Sequence, residues 1–227
     1  MKTVAIIQAR LHSARLPYKV LMGIHGKPMV GRVIERVKKA TLIDEIVLAT
    51  PDRLADRVVF SNIANDYKVK TYFGNEEDVL DRCYRTAAEF EADIVVRITS
   101  DCPLLDPKII DACIDLFVNT KSSYVTNNDN LSGRSFPTGM DVEVFSYEAL
   151  VESWNKTIEL SEREHVTLYI RKHPELFRIT KLSPEHDLSQ YQWSVNTAEE
   201  LEFVRWVYLR LGENFHLEDI VKLVEDK

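Results

Sequence analysis

Residues 8–27 carry four basic side chains, Arg10, Arg15, Lys19 and Lys27, and no acidic one. The core of this stretch reads Gln8-Ala9-Arg10-Leu11-His12-Ser13-Ala14-Arg15-Leu16-Pro17-Tyr18-Lys19. A triphosphate needs several cationic donors at close range, Arg supplying a planar fork and Lys a point charge. The same charges would equally suit a solvated surface loop, so the position of the loop in the fold has to decide. A second stretch, Arg97-Ile98-Thr99-Ser100-Asp101-Cys102-Pro103-Leu104-Leu105-Asp106, offers carboxylates. If Asp101 lies where the basic loop converges, it can hold Mg²⁺, which takes one or two carboxylates and keeps its other positions for phosphate oxygens and water. Its other reading is a turn cap, the role expected of Asp106 immediately before Pro107.

The remaining reactive residue types are less informative. Cys102 follows Asp101 but has no histidine partner identifiable from sequence, and Cys83 and Cys113 lie on apolar helical stripes, so all three read as core. His165 can touch a sugar or a second subunit, or simply pack. Glu143 alternates with Val142 and Val144, so it faces either a site or water. Trp154, Trp193 and Trp206 read as packing residues.

The elements that would position these groups follow from periodicity. Residues 3–8 (TVAIIQ) form a continuous apolar run, the mark of a strand buried on both faces. A helix is expected from Pro28, with Met29, Val30, Val33, Ile34 and Val37 on one face. A strand at 45–49 leads to a helix near Asp52 that aligns Leu54, Val58 and Ile63. A strand at 68–72 leads to Asn75 as N-cap and a helix bearing Val79, Leu80, Cys83, Tyr84 and Ala87. A strand at 93–98 then precedes the helix opened by Asp106-Pro107. Four strand-then-helix units predict an α/β fold with a doubly wound, mostly parallel sheet, because parallel neighbours need crossovers and the crossovers cover both faces. In such sheets ligands sit outside the carboxyl ends of the strands, where the 9–27 and 99–106 loops belong. From about residue 122 to 190 the alternation gives way to a small α+β excursion, with strands at 122–126, 141–145 and 176–182 and helices near 146–155 and 161–172. That segment reads as a platform for an acceptor or for dimerisation within one domain spanning 1–227. A strand at 191–195 precedes a last long helix with a Thr197/Glu200 capping box and Gly212 at its end.

Composition narrows the function classes. The 227 residues allow one fair-sized domain. A net charge of −7 argues against a general nucleic-acid binder. The first 43 residues hold nine lysines and arginines against Glu35 alone, while the remainder holds 20 basic against 35 acidic residues, which points to a local anion site. The chain has no apolar run of membrane-spanning length, and Arg10 interrupts any signal-like stretch. Three cysteines without C-x-x-C spacing suit a reducing compartment. These features predict a soluble, cytoplasmic protein. The G-x-G-x-x-G and P-loop signatures are absent.

Six spaced motifs in one order carry a family resemblance: IIQARLHSARLPYKVL with GKPMVGRVIERV, GNEEDVLDR, RITSDCPLLDP, PTGMDVEVF, EREHVTLYI and WSVNTAEELEFV. Over almost its whole length the chain resembles the sugar-acid cytidylyltransferases, in particular the spore-coat polysaccharide branch related to deoxy-manno-octulosonate and acylneuraminate cytidylyltransferases. The resemblance implies a Rossmann-like nucleotidyltransferase fold, CTP and a sugar or sugar acid as substrates, pyrophosphate release, Mg²⁺ and a homodimer. It places Gln8, Ala9, Arg10, Ser13, Arg15, Lys19 and Ser100 around the nucleotide, with Arg10, Lys19 and Asp101 carrying the catalysis. It also places Asp101 with Asn196 at the metal, and the residue reading adds Glu143 and His165 as candidates for the acceptor. Where the family has Val-Asp-Thr this chain has Val195-Asn196-Thr197, and an uncharged amide oxygen is the poorer Mg²⁺ ligand. Two other readings follow from the residues. One is a glycosyltransferase, whose Asp-x-Asp motif is imitated only by Asp141-Val142-Glu143, and the other is a catalytically weak nucleotide-binding homologue, as Asn196 would suggest.

Overall fold

The structure is a computed structural model describing residues 1–128 and 133–226; four residues of the 122–190 segment, and Lys227, lie outside the described part. The elements run β1 (Thr3–Gln8), β2 (Gly23–Ile24), β3 (Lys27–Pro28), α1 (Met29–Val37), β4 (Glu45–Pro51), α2 (Leu54–Tyr67), β5 (Lys70–Gly74), α3 (Val79–Glu89), β6 (Ile94–Thr99) and α4 (Pro107–Thr120). There follow β7 (Tyr124–Thr126), β8 (Glu143–Ser146), α5 (Tyr147–Lys156), α6 (Leu160–Glu164), α7 (Leu168–Lys172), β9 (Ile179–Lys181), α8 (Ala198–Leu211) and α9 (Leu217–Glu225).

Seven strands form one sheet in the order β5-β4-β1-β6-β8-β7-β9, and β8 is the strand that runs against its neighbours. The chain moves outward from β1 through β4 to β5, then returns to place β6 on the other side of β1. The order therefore reverses between β1 and β6, where a crevice opens at the strand ends. The 122–190 segment does not form a sheet of its own, because β8, β7 and β9 continue the main sheet past β6.

Val4, Ala5, Ile6 and Ile7 are fully buried, as the continuous apolar run requires of a central parallel strand. One sheet face packs on α1, α4, α8 and α9 through residues such as Val33, Ile110, Val204 and Ile220. The other packs on α3, α5 and α7 through Leu80, Ala149 and Ile170. Each fully buried aliphatic side chain of this kind contributes roughly 1.5–3 kcal/mol relative to exposure.

Several local expectations are corrected. Pro28 is the N-cap of α1 rather than its first residue, and it pairs in the β2–β3 ribbon. Of the expected α2 stripe Ile63 is buried, but Leu54 and Val58 are exposed, and the helix packs through Ile63 together with Phe60 and Ala64. Asn75 forms a turn by accepting from the backbone of Glu77 and Asp78, and Asp78 caps α3 by accepting from the Asp81 amide. The helix expected at 161–172 is two short helices broken at residues 165–167. Residues 191–195 form no strand, and among the described residues they make one isolated bridge, Thr138–Gln192, with the Val195 amide donating to the Asp101 carbonyl at 2.9 Å. The Thr197/Glu200 capping box and the Gly212 terminus are present. Among the described residues no helix is long and apolar enough to cross a membrane.

Candidate active site

The loop after β1 is held at both ends. The Leu11 amide donates to Asp56 Oδ1 of α2 at 3.1 Å, and the Tyr18 amide closes onto the Leu11 carbonyl at 3.1 Å. Tyr18 adopts a left-handed conformation (φ 56°), which turns the chain so that Lys19 points inward. At the end of β6 the Ser100 amide donates to the Gln8 carbonyl at 3.1 Å, extending the β1–β6 ladder to the rim of the sheet. The two loops thus border one cleft of about 390 Å³ at the reversal of strand order. Gln8, Ala9, Arg10, Ser13, Arg15, Lys19, Ser100, Asp101 and His165 all line it, so every residue expected there except Glu143 and Asn196 faces the shared cavity.

Arg10 and Arg15 are exposed, and their guanidinium groups have no hydrogen bond or ion pair with any described residue. Lys19 is buried and differs from them: its ammonium donates to Asp101 Oδ2 at 2.8 Å, the Val195 carbonyl at 2.7 Å and Asn196 Oδ1 at 3.0 Å. The Asn196 Nδ2 donates to Ser194 Oγ at 3.2 Å, which turns Oδ1 toward Lys19. Its backbone amide and that of Thr197 both donate to Glu200, so Asn196 serves the helix cap with its backbone and the cleft rim with its side chain. Three oxygens, one of them anionic, therefore already surround a cation. This is a hard donor set of the kind an oxygen-preferring divalent ion takes. Among the described residues there is no cluster of three or more carboxylate, histidine or cysteine ligands, so the site lacks an all-protein cage.

Burial pushes the Asp101 carboxyl up, but the charge and hydrogen bond of Lys19 outweigh it, and the group titrates below its ordinary value. The stabilisation from this pair is therefore complete above the ordinary carboxylate pKa and is lost as pH falls through the lower native value. In urea unfolding, the stability advantage of the native protein over Asp101→Asn should hold from pH 7 to about pH 5 and shrink below pH 4. A difference independent of pH would contradict the pairing.

Polar residues that sequence reasoning gave no role also line the cleft: Arg82, Arg97, Thr99 and Glu164. Arg82 is 3% exposed and donates to the Asn75 and Glu76 carbonyls; burial pulls its guanidinium down to about 10. Arg97 and Thr99 lie on one face of β6 by strand alternation, opposite Val96 and Ile98, which enter the other core. That period-two pattern was the available signal. Glu143 stands opposite Arg97 in the β6–β8 register and so shares its face of the sheet, where it is buried, behind the cleft lining, and bonded to Arg97. Asp141 Oδ1 accepts from Arg134 at 2.6 Å, so the Asp141-Val142-Glu143 imitation of a metal motif is taken up by two arginines. Cys102 is buried, and burial first, then Asp101, pushes its thiol well above the ordinary range, which excludes a thiolate nucleophile. A larger hollow of about 550 Å³ between α4, α9 and residues 182–188 lacks such a concentration of cations.

Comparison with known proteins agrees with this geometry. The family model described as Cytidylyltransferase matches residues 4–226. The chain is 32% identical to the spore coat polysaccharide biosynthesis protein SpsF of Bacillus subtilis, covering 92% of this chain and 87% of that protein. It is also 32% identical to a 3-deoxy-manno-octulosonate cytidylyltransferase of Geotalea daltonii, covering 90% and 85%. A cytidylyltransferase structure from Leptospira borgpetersenii superposes with a TM-score of 0.94 at 30% identity, covering 100% of this chain and 94% of that one. A basic loop facing Asp101 at the reversal of an α/β sheet, together with a match along nearly the whole sequence, places the chain in the cytidylyltransferase family.

Proposed function

We propose that this enzyme transfers CMP from CTP to a hydroxyl of a sugar or sugar acid for surface polysaccharide synthesis. The observation that carries this reading is the cleft itself, in which unpaired Arg10 and Arg15 stand over the Lys19–Asp101 pair at the strand-order reversal. Arg10, Arg15 and the Ser13 hydroxyl grip the triphosphate, and they supply the charge that its β- and γ-phosphates require. The acceptor oxygen forms a bond to the α-phosphorus while the bond to pyrophosphate breaks, and the hydroxyl proton passes to water. Arg10 and Lys19 stabilise the negative charge that builds on the leaving pyrophosphate. His165, on the rim formed by the break between α6 and α7, faces the acceptor side. Asp101 and Asn196 are the residues that would hold Mg²⁺, which when bound neutralises charge on the phosphate oxygens. A homodimer using the 122–190 segment, and a cytoplasmic location, accompany this reading by family resemblance.

A thermal-shift panel of the four nucleoside triphosphates, with and without Mg²⁺, tests the reading. Selective binding to the native state at a hundredfold excess over Kd stabilises by about 2.7 kcal/mol, so CTP with Mg²⁺ should raise Tm by several degrees more than ATP, GTP or UTP. Equal shifts for all four, or none, would refute it.

A further inference from the structure

Lys19 occupies the place a metal ion would take. Its ammonium lies 2.8 Å from Asp101 Oδ2, 2.7 Å from the Val195 carbonyl and 3.0 Å from Asn196 Oδ1. An ammonium has three N–H donors, so each finds one acceptor, and the side chain is only 11% exposed. The acceptors are also fixed from behind. The Cys102 thiol donates to Asp101 Oδ1 at 3.6 Å. Ser194 Oγ accepts from Gln192 Nε2 at 2.8 Å and from Asn196 Nδ2 at 3.2 Å, which keeps the carboxamide oxygen of Asn196 turned toward Lys19. The cage is therefore built to hold a cation, and its ligands do not depend on Lys19 alone for their orientation.

Charge decides which cation the cage prefers. Of its three oxygens only that of Asp101 is anionic, and one ammonium neutralises it. Among the described residues no group of three or more carboxylate, histidine or cysteine side chains adds to this set. The cleft around it is positive, since Arg10, Arg15, Arg82 and Arg97 line it against Asp101 and Glu164. Of these four arginines, Arg97 alone has a carboxylate partner among the described residues, Glu143. Every fixed charge acts twice as strongly on a divalent ion as on an ammonium. With one negative charge in the cage and a positive cleft around it, exchanging Lys19 for a divalent ion is unfavourable. A triphosphate reverses the balance, because its oxygens serve as metal ligands and also as acceptors for the displaced ammonium.

We infer that Lys19 is the resident cation of the Asp101 cage in the free protein, and that Asn196, as a neutral ligand, sets the cage to refuse a divalent ion until a triphosphate draws the ammonium away. This rests on the nucleotidyl-transfer reading above and adds to it the residue that governs when the metal enters. Asn196 is then a specificity-determining position, selecting the cation by charge, rather than a weakened ligand. Lys19 lines the cleft as well as the cage, so its ammonium can pass from one set of oxygens to the other.

Mn²⁺ binding, read by electron paramagnetic resonance, tests this without turnover. With no nucleotide present the native protein should bind Mn²⁺ more weakly than about 1 mM, beyond the weak end of oxygen-ligand sites. Asn196→Asp adds a charge with little change of shape, and Lys19→Met removes the resident cation. Each variant should bind Mn²⁺ at least tenfold more tightly than native in the absence of nucleotide. Adding Asp101→Asn to Asn196→Asp should abolish that gain, which locates it in the cage. CTP without an acceptor should make the native protein take up Mn²⁺ with a signal distinct from that of Mn²⁺ and CTP alone. Micromolar binding of Mn²⁺ by the free native protein would overturn the inference. So would a gain in Lys19→Met without one in Asn196→Asp, because the charge at residue 196 would then not matter. If Lys19→Met fails to fold, Asn196→Asp decides alone. Tight Mn²⁺ binding by the free native protein together with CTP binding would leave the transfer reading standing and this inference refuted, whereas absence of CTP binding with or without Mn²⁺ would refute the transfer reading itself.

Discussion

Asp101→Ala should lower pyrophosphate release by about a hundredfold or more, and Lys19→Ala should do nearly the same. In Asp101→Ala the Lys19 ammonium keeps only the Val195 carbonyl and Asn196 Oδ1, both neutral, around a charge whose side chain is 11% exposed. Removing one partner of a buried pair leaves an uncompensated charge, a defect worth about 3–5 kcal/mol when burial is complete. The reaction loses in addition a preorganised group facing the phosphates, and deletion of one such electrostatic contact typically costs about 3–4 kcal/mol of transition-state stabilisation. Urea unfolding separates the two effects, because activity is compared only at pH and denaturant values where each variant is folded. The double variant Lys19→Ala/Asp101→Ala should lose much less than the sum of the single losses, since the two side chains act as one unit. Release close to native from either single variant, or full additivity in the double, would remove Asp101 and Lys19 from the chemistry.

Gly139→Ala should be the most damaging of the small substitutions. Gly139 has φ +99°, and a Cβ there would meet the Ser194 backbone nitrogen at 2.6 Å and the Trp193 carbonyl carbon at 2.7 Å. Both obstacles are main chain and cannot rotate away. The neighbouring Thr138 exchanges hydrogen bonds with Tyr191 and Trp193 at 3.0 and 2.7 Å, so the two segments are tied together at closest approach. Backbone strain and the clash together should cost on the order of 3–5 kcal/mol. The segment pushed outward is the one that delivers the Val195 carbonyl and Asn196 to Lys19, so pyrophosphate release should fall alongside stability. Gly133→Ala provides the control: its φ is also positive, +95°, but no described residue lies within 4 Å of an added Cβ. It should cost about 1 kcal/mol with no effect on release. Similar losses in the two variants would contradict the close-approach argument.

The buried parallel strands were legible because β1 is apolar on both faces and β6 on one, and the helices α1, α3 and α4 because their stripes coincide with burial. The stripe of Leu54 and Val58 misled because apolar spacing does not say which face meets a neighbour, and both are exposed. The 191–195 segment misled for a related reason: Trp193 and Val195 are buried, yet the backbone finds its partners in isolated contacts rather than a ladder. In the site, the cations of the basic loop and Asp101 could be identified from their types and their position after strands. Their pairing could not, because Lys19 meets Asn196 across 177 residues. Glu143 illustrates the limit most clearly: strand alternation offered two faces, and on the one it takes the residue is consumed by Arg97, Tyr124 and Thr167 from three other parts of the chain.

The cage around Lys19 also bears on biosynthesis. Its three oxygens belong to residues 82, 176 and 177 positions further along the chain. A growing polypeptide emerges from the ribosome amino end first, so the basic loop is exposed long before its counterparts are made. Folding of the early strands and helices can proceed meanwhile, but the pocket is finished only when residue 196 has cleared the exit tunnel. A nascent chain therefore lacks the full oxygen cage around Lys19 until Asn196 has been made.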